Sequence, residues 1–252
     1  RAYPKTPYAS QLFGETPEGK RFGGTMLDMM AGGSGARTMM DGIDSGGYIG
    51  SMRIGIANVE TYEAEYPILY LWRREEADSG GAGTYRGGNG VSLAYVAHGT
   101  DRIDTKIVHG IGVEQPMSSG ISGGYPGSPN RATLKRRTDV KAKFEGGVVP
   151  QSLDELTGEV EFVPPIVRTS QDSEDVYMSM SVGGGGFGDP LLREPARVLD
   201  DVRSGAVTPE YAGLAYGVVI IDAEGEPAVD ARATTRARDV IRQARRSAAS
   251  QP

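Results

Sequence analysis

The side chains of this sequence best suited to chemistry are Asp41, Asp44, Asn58, Glu60, Glu63 and Arg86, most of them in or near glycine-rich turns. Turns of that kind bring backbone donors close to a ligand and let side chains converge. Carboxylates held there can orient a substrate, or hold a hydrogen bond to a metal ligand supplied by another chain. Turn chemistry competes with that reading, since Asp41-Gly42 and Asp78-Ser79-Gly80-Gly81 are turn signals in themselves. On the residues alone, turn chemistry is favoured.

Ser34, in GGSGA, matches a nucleophile elbow only in part, because Ala36 stands where the final glycine belongs. Its available bases are the only two histidines, His98 and His109, at the ends of separate strand-like segments, and nothing in the sequence sets either beside it. As metal ligands the histidines would need Asp41, Asp44, Asp101 or Asp104 as well, and no ligand spacing supports that. They are expected to be surface or hydrogen-bonded structural residues. GETPEGK at 14–20 has the spacing of a phosphate loop, but Arg21 follows where Mg²⁺ binding needs Ser or Thr, and Pro17 and two glutamates crowd the loop. GGGGFG at 183–188 fits G-x-G-x-x-G after a strand, yet Asp189 and Pro190 interrupt the helix that should open there. Both read as structural turns, and neither a cofactor nor a metal is expected on this chain.

The elements that must position these residues are legible from composition and periodicity. At 252 residues, 38% hydrophobic and 24% charged, the chain can bury one large core or two small ones. A net charge of −6 leaves no broad basic surface for nucleic acid. Without cysteine there is no disulfide framework, thiol nucleophile or thiolate metal site, which fits the reducing cytoplasm where the chain is expected to work. The longest apolar run, 214–221, falls short of the roughly 20 residues a bilayer needs. Glycine, at 37 residues, has about twice its ordinary share and clusters at 32–35, 46–50, 80–90, 120–127 and 183–188. One folded unit full of tight turns and close backbone approaches is expected.

Strands are predicted at 68–72, 91–97, 105–109, 160–163 and 176–182, where β-branched and aromatic residues run between Gly, Asp or Pro. Residues 131–165, basic at first and acidic later, read as an exposed charged excursion. Helices concentrate late: 194–204 with Gly205 as its stop, a short one capped by Thr208 and Pro209 and closed by Gly217, and 235–246 after a strand at 218–222. The expected fold class is mixed α/β (α+β): a strand-rich, glycine-rich first three quarters, with helices near the C-terminus. Residues 1–222 are expected to form a single domain and 223–252 a helical tail.

GGSGARTMMDGIDSGG from residue 32, NVETYEAEYPILY from 58 with DSGGAGTYRGGNG from 78, SGGYPG from 122, and GGGGFGDPLLREPARVLDDVRSGAVTPEYAGLAYGVV from 183 together resemble the hydantoinase B/oxoprolinase family. That family includes the large subunits of acetone and acetophenone carboxylases. The resemblance covers most of residues 25–222 and is that of the C-terminal half of a much longer subunit. It implies a subunit or fragment of a hetero-oligomeric enzyme. ATP is then expected on a hydantoinase A-like partner, and the divalent metal on a chain supplying the N-terminal half. It also moves Asp41 and Asp44 away from simple turn chemistry, as catalytic residues that line or brace a shared pocket with Gly33, Ser34, Gly35, Asn58, Glu60 and Arg86. The implied substrate is a small carbonyl compound, with no nucleic acid and no membrane as partner. The run ILYLWRREEADSGGAGTYRGG at 68–88 is closer to the carboxylase branch, which makes ATP-dependent ketone carboxylation the expected activity. ATP-dependent hydrolysis of a cyclic amide, or a non-catalytic scaffold role, is the alternative.

Overall fold

The computed structural model describes residues 9–30, 32–46, 56–110, 112–113 and 115–249, so the end of the 46–50 glycine cluster lies outside the described residues. In chain order the elements are β1 (Ala9–Glu15), β2 (Arg21–Met26), α1 (Val59–Glu65), β3 (Ile68–Glu75), β4 (Val91–Ala97), β5 (Arg102–His109), β6 (Arg131–Arg136), α2 (Val140–Glu145), β7 (Glu159–Phe162), β8 (Ile166–Asp172), β9 (Val176–Met180), α3 (Pro195–Arg203), α4 (Pro209–Tyr216), β10 (Ile220–Ala223), β11 (Glu226–Val229) and α5 (Ala231–Ala249). The fold is mixed α and β, and each predicted strand is present. The two short helices α1 and α2 were not expected.

Two antiparallel sheets, in the orders β2-β1-β5-β8 and β3-β4-β9-β6-β7, face each other across the main core. Leu12, Ile103 and Val108 come from the first sheet, and Leu93, Tyr95, Leu134 and Tyr177 from the second. Alternation along each strand supplies the two inner faces, and the layers meet as in a sandwich. Residues 14–20 make the turn between β1 and β2, where Thr16 N donates to Lys20 O at 2.9 Å and Gly19 N to Thr16 O at 2.8 Å. Those N–H groups are committed to closing a hairpin.

The segment 131–165 is a correction. Its first six residues are not an exposed excursion: β6 lies between β9 and β7, with Ala132 and Leu134 in the core. Lys135 misleads a count of charges. It is buried, and its Nζ donates to Leu153 O at 2.7 Å and Leu156 O at 2.6 Å. Beyond β6 the segment is largely exposed, with Lys141, Glu145, Asp154 and Glu155 at the surface, and at the β6–β7 edge Arg136 meets Glu161 at 2.8 Å.

Lys106, on β5, sits in the main core fully buried. Its Nζ is hydrogen-bonded to the Tyr95 hydroxyl and lies 3.5 Å from the Tyr177 ring centroid and 4.4 Å from that of Tyr95. Among the described residues no carboxylate pairs with it. Burial first, and the like charge of Arg136 second, push its amine well below the usual lysine range. The rings favour the charged form by about 2 kcal/mol, against a burial cost of several kcal/mol per ion. Because the folded pKa is lowered, the unfolded chain binds the extra proton between that value and about 10.4, so stability rises with pH across this window and the cost is complete below it. Lys106→Met should raise stability by about 1–3 kcal/mol at neutral pH and flatten the rise toward pH 10. Urea titrations at several pH values test this, and a variant less stable than its parent throughout would refute it.

The helical region packs on its own cluster: Val198 of α3, Ala212 and Tyr216 of α4, Val207, Val218, and Ala82 from the glycine-rich part of the chain. Thr208 Oγ1 accepts from Tyr211 N at 3.1 Å, and Gly217 ends α4 at φ 61°.

Between this cluster and the sandwich lies a bundle of extended segments at 32–36, 79–90, 118–128 and 183–188 that forms no regular sheet. Each segment hydrogen-bonds to several neighbours in different directions. Gly184 N donates to Gly88 O, Gly81 N to Gly184 O, Gly186 N to Tyr125 O and Ala36 N to Gly185 O, all at 2.8–3.0 Å. Backbone packs on backbone here, which only glycine permits.

Candidate functional site

Asp41 and Asp44 lie on a tight excursion of the glycine bundle. The turn is closed by the Arg37–Met40 bridge, by Ser34 N donating to Ile43 O at 2.9 Å, and by Ile43 N donating to Ser34 Oγ at 2.6 Å. Ser34 Oγ is therefore committed to its own loop. His98 lies exposed after β4 and His109 ends β5.

From that turn the carboxylates grip the segment 86–89. Asp41 Oδ1 accepts from Arg86 N at 2.7 Å and Asp44 Oδ1 from Asn89 N at 2.6 Å. The Arg86 guanidinium returns a fork to Asp44, at 2.8 and 3.0 Å. Arg193 forks onto Asp41 at 2.8 and 2.9 Å and also donates to Asp201 Oδ2 at 3.0 and 2.7 Å. Arg197 adds a bond to Asp41 at 2.7 Å, and Arg86 Nε lies 3.4 Å from Asp201. Arg86, Arg193 and Arg197 thus balance Asp41, Asp44 and Asp201.

Burial works to raise the Asp41 pKa, but the hydrogen bonds and charge of Arg193, with the Arg86 N–H and Arg197, outweigh it and hold the carboxyl below the usual range. Asp201 goes the other way: burial dominates and raises it despite Arg193 and Arg86. For Arg193 the loss of water favours deprotonation, and Asp41 and Asp201 overcome it, so the guanidinium stays charged. An ionised Asp41 bonded to two guanidinium groups has little basicity left. The arrangement is suited to holding backbone segments in place and poorly suited to taking up a proton.

Of the predicted pocket residues, the structure gathers Gly33, Ser34, Gly35, Asp41, Asp44 and Arg86 in and around this bundle. Asn58 and Glu60 lie elsewhere, exposed at the start of α1, and take no part in the network. Glu63 ties α1 to β3 by accepting from Tyr70 N at 2.8 Å. Sequence reasoning missed Arg193, Arg197 and Asp201. Arg197 and Asp201, four apart, share one face of α3, a signal that was available, whereas Arg193 precedes the helix in extended backbone.

A second ion pair, Asp28 with Arg73, joins the end of the β1–β2 hairpin to β3. Asp28 accepts from Arg73 at 2.8 Å and from the Tyr70 hydroxyl at 2.7 Å, while burial, the largest influence, raises its pKa. Arg73 also donates to Ala57 O at 2.6 Å, anchoring the approach to α1.

The GGGGFG segment offers no phosphate cradle. The N–H groups of Gly183, Gly184, Gly186 and Gly188 donate to Ser128, Gly88, Tyr125 and Ile121 carbonyls at 2.8–3.2 Å. Among the described residues no three His, Asp or Glu side chains converge as a metal site. Those N–H groups of the GGGGFG segment are thus committed to the chain's own carbonyls.

A glycine backbone bundle locked by an arginine–aspartate network, beside a two-sheet sandwich, defines a structural class with known relatives. The profile of the hydantoinase B/oxoprolinase family matches residues 5–190, and the chain belongs to that family. Acetone carboxylase alpha subunit of Xanthobacter autotrophicus (strain ATCC BAA-1158 / Py2) is 34% identical over 237 residues, covering 87% of this chain and 30% of that subunit. The nucleotide-free structure of acetone carboxylase superposes with a TM-score of 0.83 at 28% identity, over 97% of this chain and 34% of that one. ATP-dependent caprolactamase of Pseudomonas jessenii gives a TM-score of 0.67 at 25% identity, over 92% of this chain and 37% of that one. The chain spans about a third of the length of the relatives it matches.

Proposed function

We propose that this chain is a subunit, or part of one, of an ATP-dependent ketone carboxylase, acting on a small carbonyl substrate in a hetero-oligomeric complex. The observation that carries the reading is the similarity to the acetone carboxylase alpha subunit, in sequence and more closely in shape than to the caprolactamase. Residues 1–222 correspond in this reading to the C-terminal part of a hydantoinase B-type subunit. A hydantoinase A-like partner holds ATP, and the polypeptide supplying the rest of the subunit holds a divalent metal. Among the described residues no helix is long and apolar enough to cross a membrane, and the lack of cysteine suits work in the cytoplasm.

Within the complex, Gly33, Ser34 and Gly35 form a rigid wall of the shared pocket. Asp41, Asp44 and Arg86 act as positioning residues that fix the wall's geometry through the backbone they hold. Asn58 and Glu60, exposed at the start of α1, lie outside this wall and take no part in it. Likeness to the caprolactamase favours one second reading, hydrolysis of a cyclic amide by a complex in which this chain serves as scaffold.

The test is turnover by the purified complex. Ketone carboxylation requires bicarbonate as well as ATP, whereas lactam opening without bicarbonate supports the second reading. In the same complex Asp44→Asn should lower kcat about tenfold, or about 1.4 kcal/mol, with KM for the ketone little changed and assembly intact. Unchanged kinetics would return Asp44 to a turn-forming role, which Asn also serves.

A further inference from the structure

The last helix carries a charge that the chain does not pair. Arg245, near the end of α5, shows the ordinary solution, donating to Asp189 Oδ1 and to the Tyr125 hydroxyl at 2.9 Å each. Arg238, two turns earlier, is half-buried and donates to main-chain carbonyls, from Nε to Tyr216 O at 3.1 Å and from Nη2 to Arg193 O at 2.7 Å. Among the described residues no carboxylate lies within ion-pair distance of it. Burial first, and the like charge of Arg242 one turn on, pull its pKa below the usual arginine range, while Glu194 and Asp189 oppose them without bonding it. Tyr216 O, at the C-terminal end of α4, offsets part of that cost. A guanidinium in a protein does not shed its proton, so the rest of the cost stands until an anion arrives.

Thr235, Arg238 and Arg242 recur at helical spacing on one stripe of α5. With Pro195 at the start of α3 and Val229 at the end of β11 they line a cavity of about 300 Å³ to which no acidic side chain contributes. The carboxylates around α5 are engaged elsewhere or exposed. Asp189 holds Arg245, Asp230 Oδ1 accepts from Ala233 N at 2.8 Å, Asp239 accepts from Arg242 Nη1 at 3.0 Å, and Glu194 lies at the surface. Arg238 Nη1 and Arg242 Nε and Nη2 then bond to nothing among the described residues. Two guanidinium groups with donors unspent, beside an apolar wall, have the makeup of an anion receptor.

We propose that this cavity binds a small oxyanion, a phosphate or a carboxylate with at most a few carbons, between Arg238 and Arg242, any carbons resting on Pro195 and Val229. The size of the cavity excludes a nucleotide-sized ligand and leaves room for a short apolar arm. Arg238 also holds Arg193 O, so a bound anion steadies the residue that clamps Asp41 and Asp201. The site is independent of the carboxylase reading and stands or falls without it.

Calorimetric titration of the purified chain with inorganic phosphate and with butyrate, at constant ionic strength, tests it. Saturable binding at one site per chain is expected, with a matching rise in the urea midpoint. Arg242→Gln should weaken binding at least tenfold and abolish that rise while circular dichroism stays unchanged. Arg236→Gln, at an exposed position of the same helix, should bind as the parent does. No saturable binding below about 20 mM of either anion overturns the proposal, as does an equal loss in both variants, which would reveal a diffuse basic surface in place of a site. Labelled phosphate is then dialysed against the assembled complex, and parent and Arg242→Gln complexes are compared. Binding that the isolated chain shows and the complex lacks also overturns it, because a carboxylate of another polypeptide would then occupy the cavity.

Discussion

Alanine at Gly184 should leave the chain unable to fold, whereas alanine at Gly213 should stabilise it. A Cβ on Gly184 would lie 2.0 Å from Ser34 O and 2.3 Å from Ser34 C, well inside contact distance. The obstruction is backbone and cannot swing aside. Ser34 is held through its N–H to Ile43 and through its carbonyl by Gly88 N at 2.8 Å, while Gly184 N is tied to Gly88 O. Relief would mean breaking several buried backbone hydrogen bonds, each leaving groups that cost about 1–3 kcal/mol unpaired. The total reaches the lower end of the usual 5–15 kcal/mol stability of a folded domain, marked here as about 5 kcal/mol. Gly213 is different: it lies inside α4, and a Cβ there would meet only Val218 O at 4.0 Å. The same substitution then gains about 0.5–1 kcal/mol from helix propensity and backbone entropy. Soluble yield and urea unfolding of the two variants test the contrast. A Gly184→Ala protein within about 1 kcal/mol of its parent would show that the bundle yields, contrary to this account.

That contrast also marks how far the fold could be read from the sequence. Strands such as VSLAYVA and VYMSMSV announced themselves because β-branched and aromatic residues run between turn signals, and both became central strands. The caps of α4 were legible for the same local reason, as Thr208, Pro209 and Gly217 each meet a backbone requirement at a helix end. RATLKR was missed as a strand because three of its six residues are basic, and only tertiary structure gives Lys135 the two carbonyls that permit its burial. VETYEAE was missed as a helix because it is short, buries only Tyr62 and has no side-chain cap at Asn58. The glycine bundle lies beyond periodicity altogether. Side chains carry the period-2 and period-3.6 signals, and the segments that pack there have none.

The site was half legible for a related reason. Asp41, Asp44 and Arg86 stood out beside glycine turns, but their partners on α3 and just before it, 152 to 160 residues downstream of Asp41, looked like ordinary helix-face charges. Only the fold shows that Arg193, at 1% side-chain exposure, lies between two carboxylates.

Arg193→Met should therefore cost far more than Arg197→Met, although both arginines bond Asp41. The Arg193 guanidinium bonds both Asp41 and Asp201, and donates to Thr84 O at 3.1 Å. Its removal leaves two partly buried carboxylates without the cation between them, with only Arg197 on Asp41 and Arg86 at 3.4 Å from Asp201, a loss of about 3–5 kcal/mol. The Arg197 side chain is 42% exposed and contributes one bond, for which less than about 1 kcal/mol is expected. Dependence on pH separates this electrostatic loss from lost packing. In the parent the lowered pKa of Asp41 contributes stability that is present above the unfolded value of about 3.9 and is lost as pH falls through the folded value. In the Met variant the largest part of that contribution is lost, and the pKa values of Asp41 and Asp201 both rise because neither retains Arg193. The deficit should stand in full near neutral pH and shrink as pH falls toward about 4, where protonation relieves the repulsion. A deficit unchanged across that range in urea titrations would mean that Arg193 holds the helical region by shape, with charge contributing nothing.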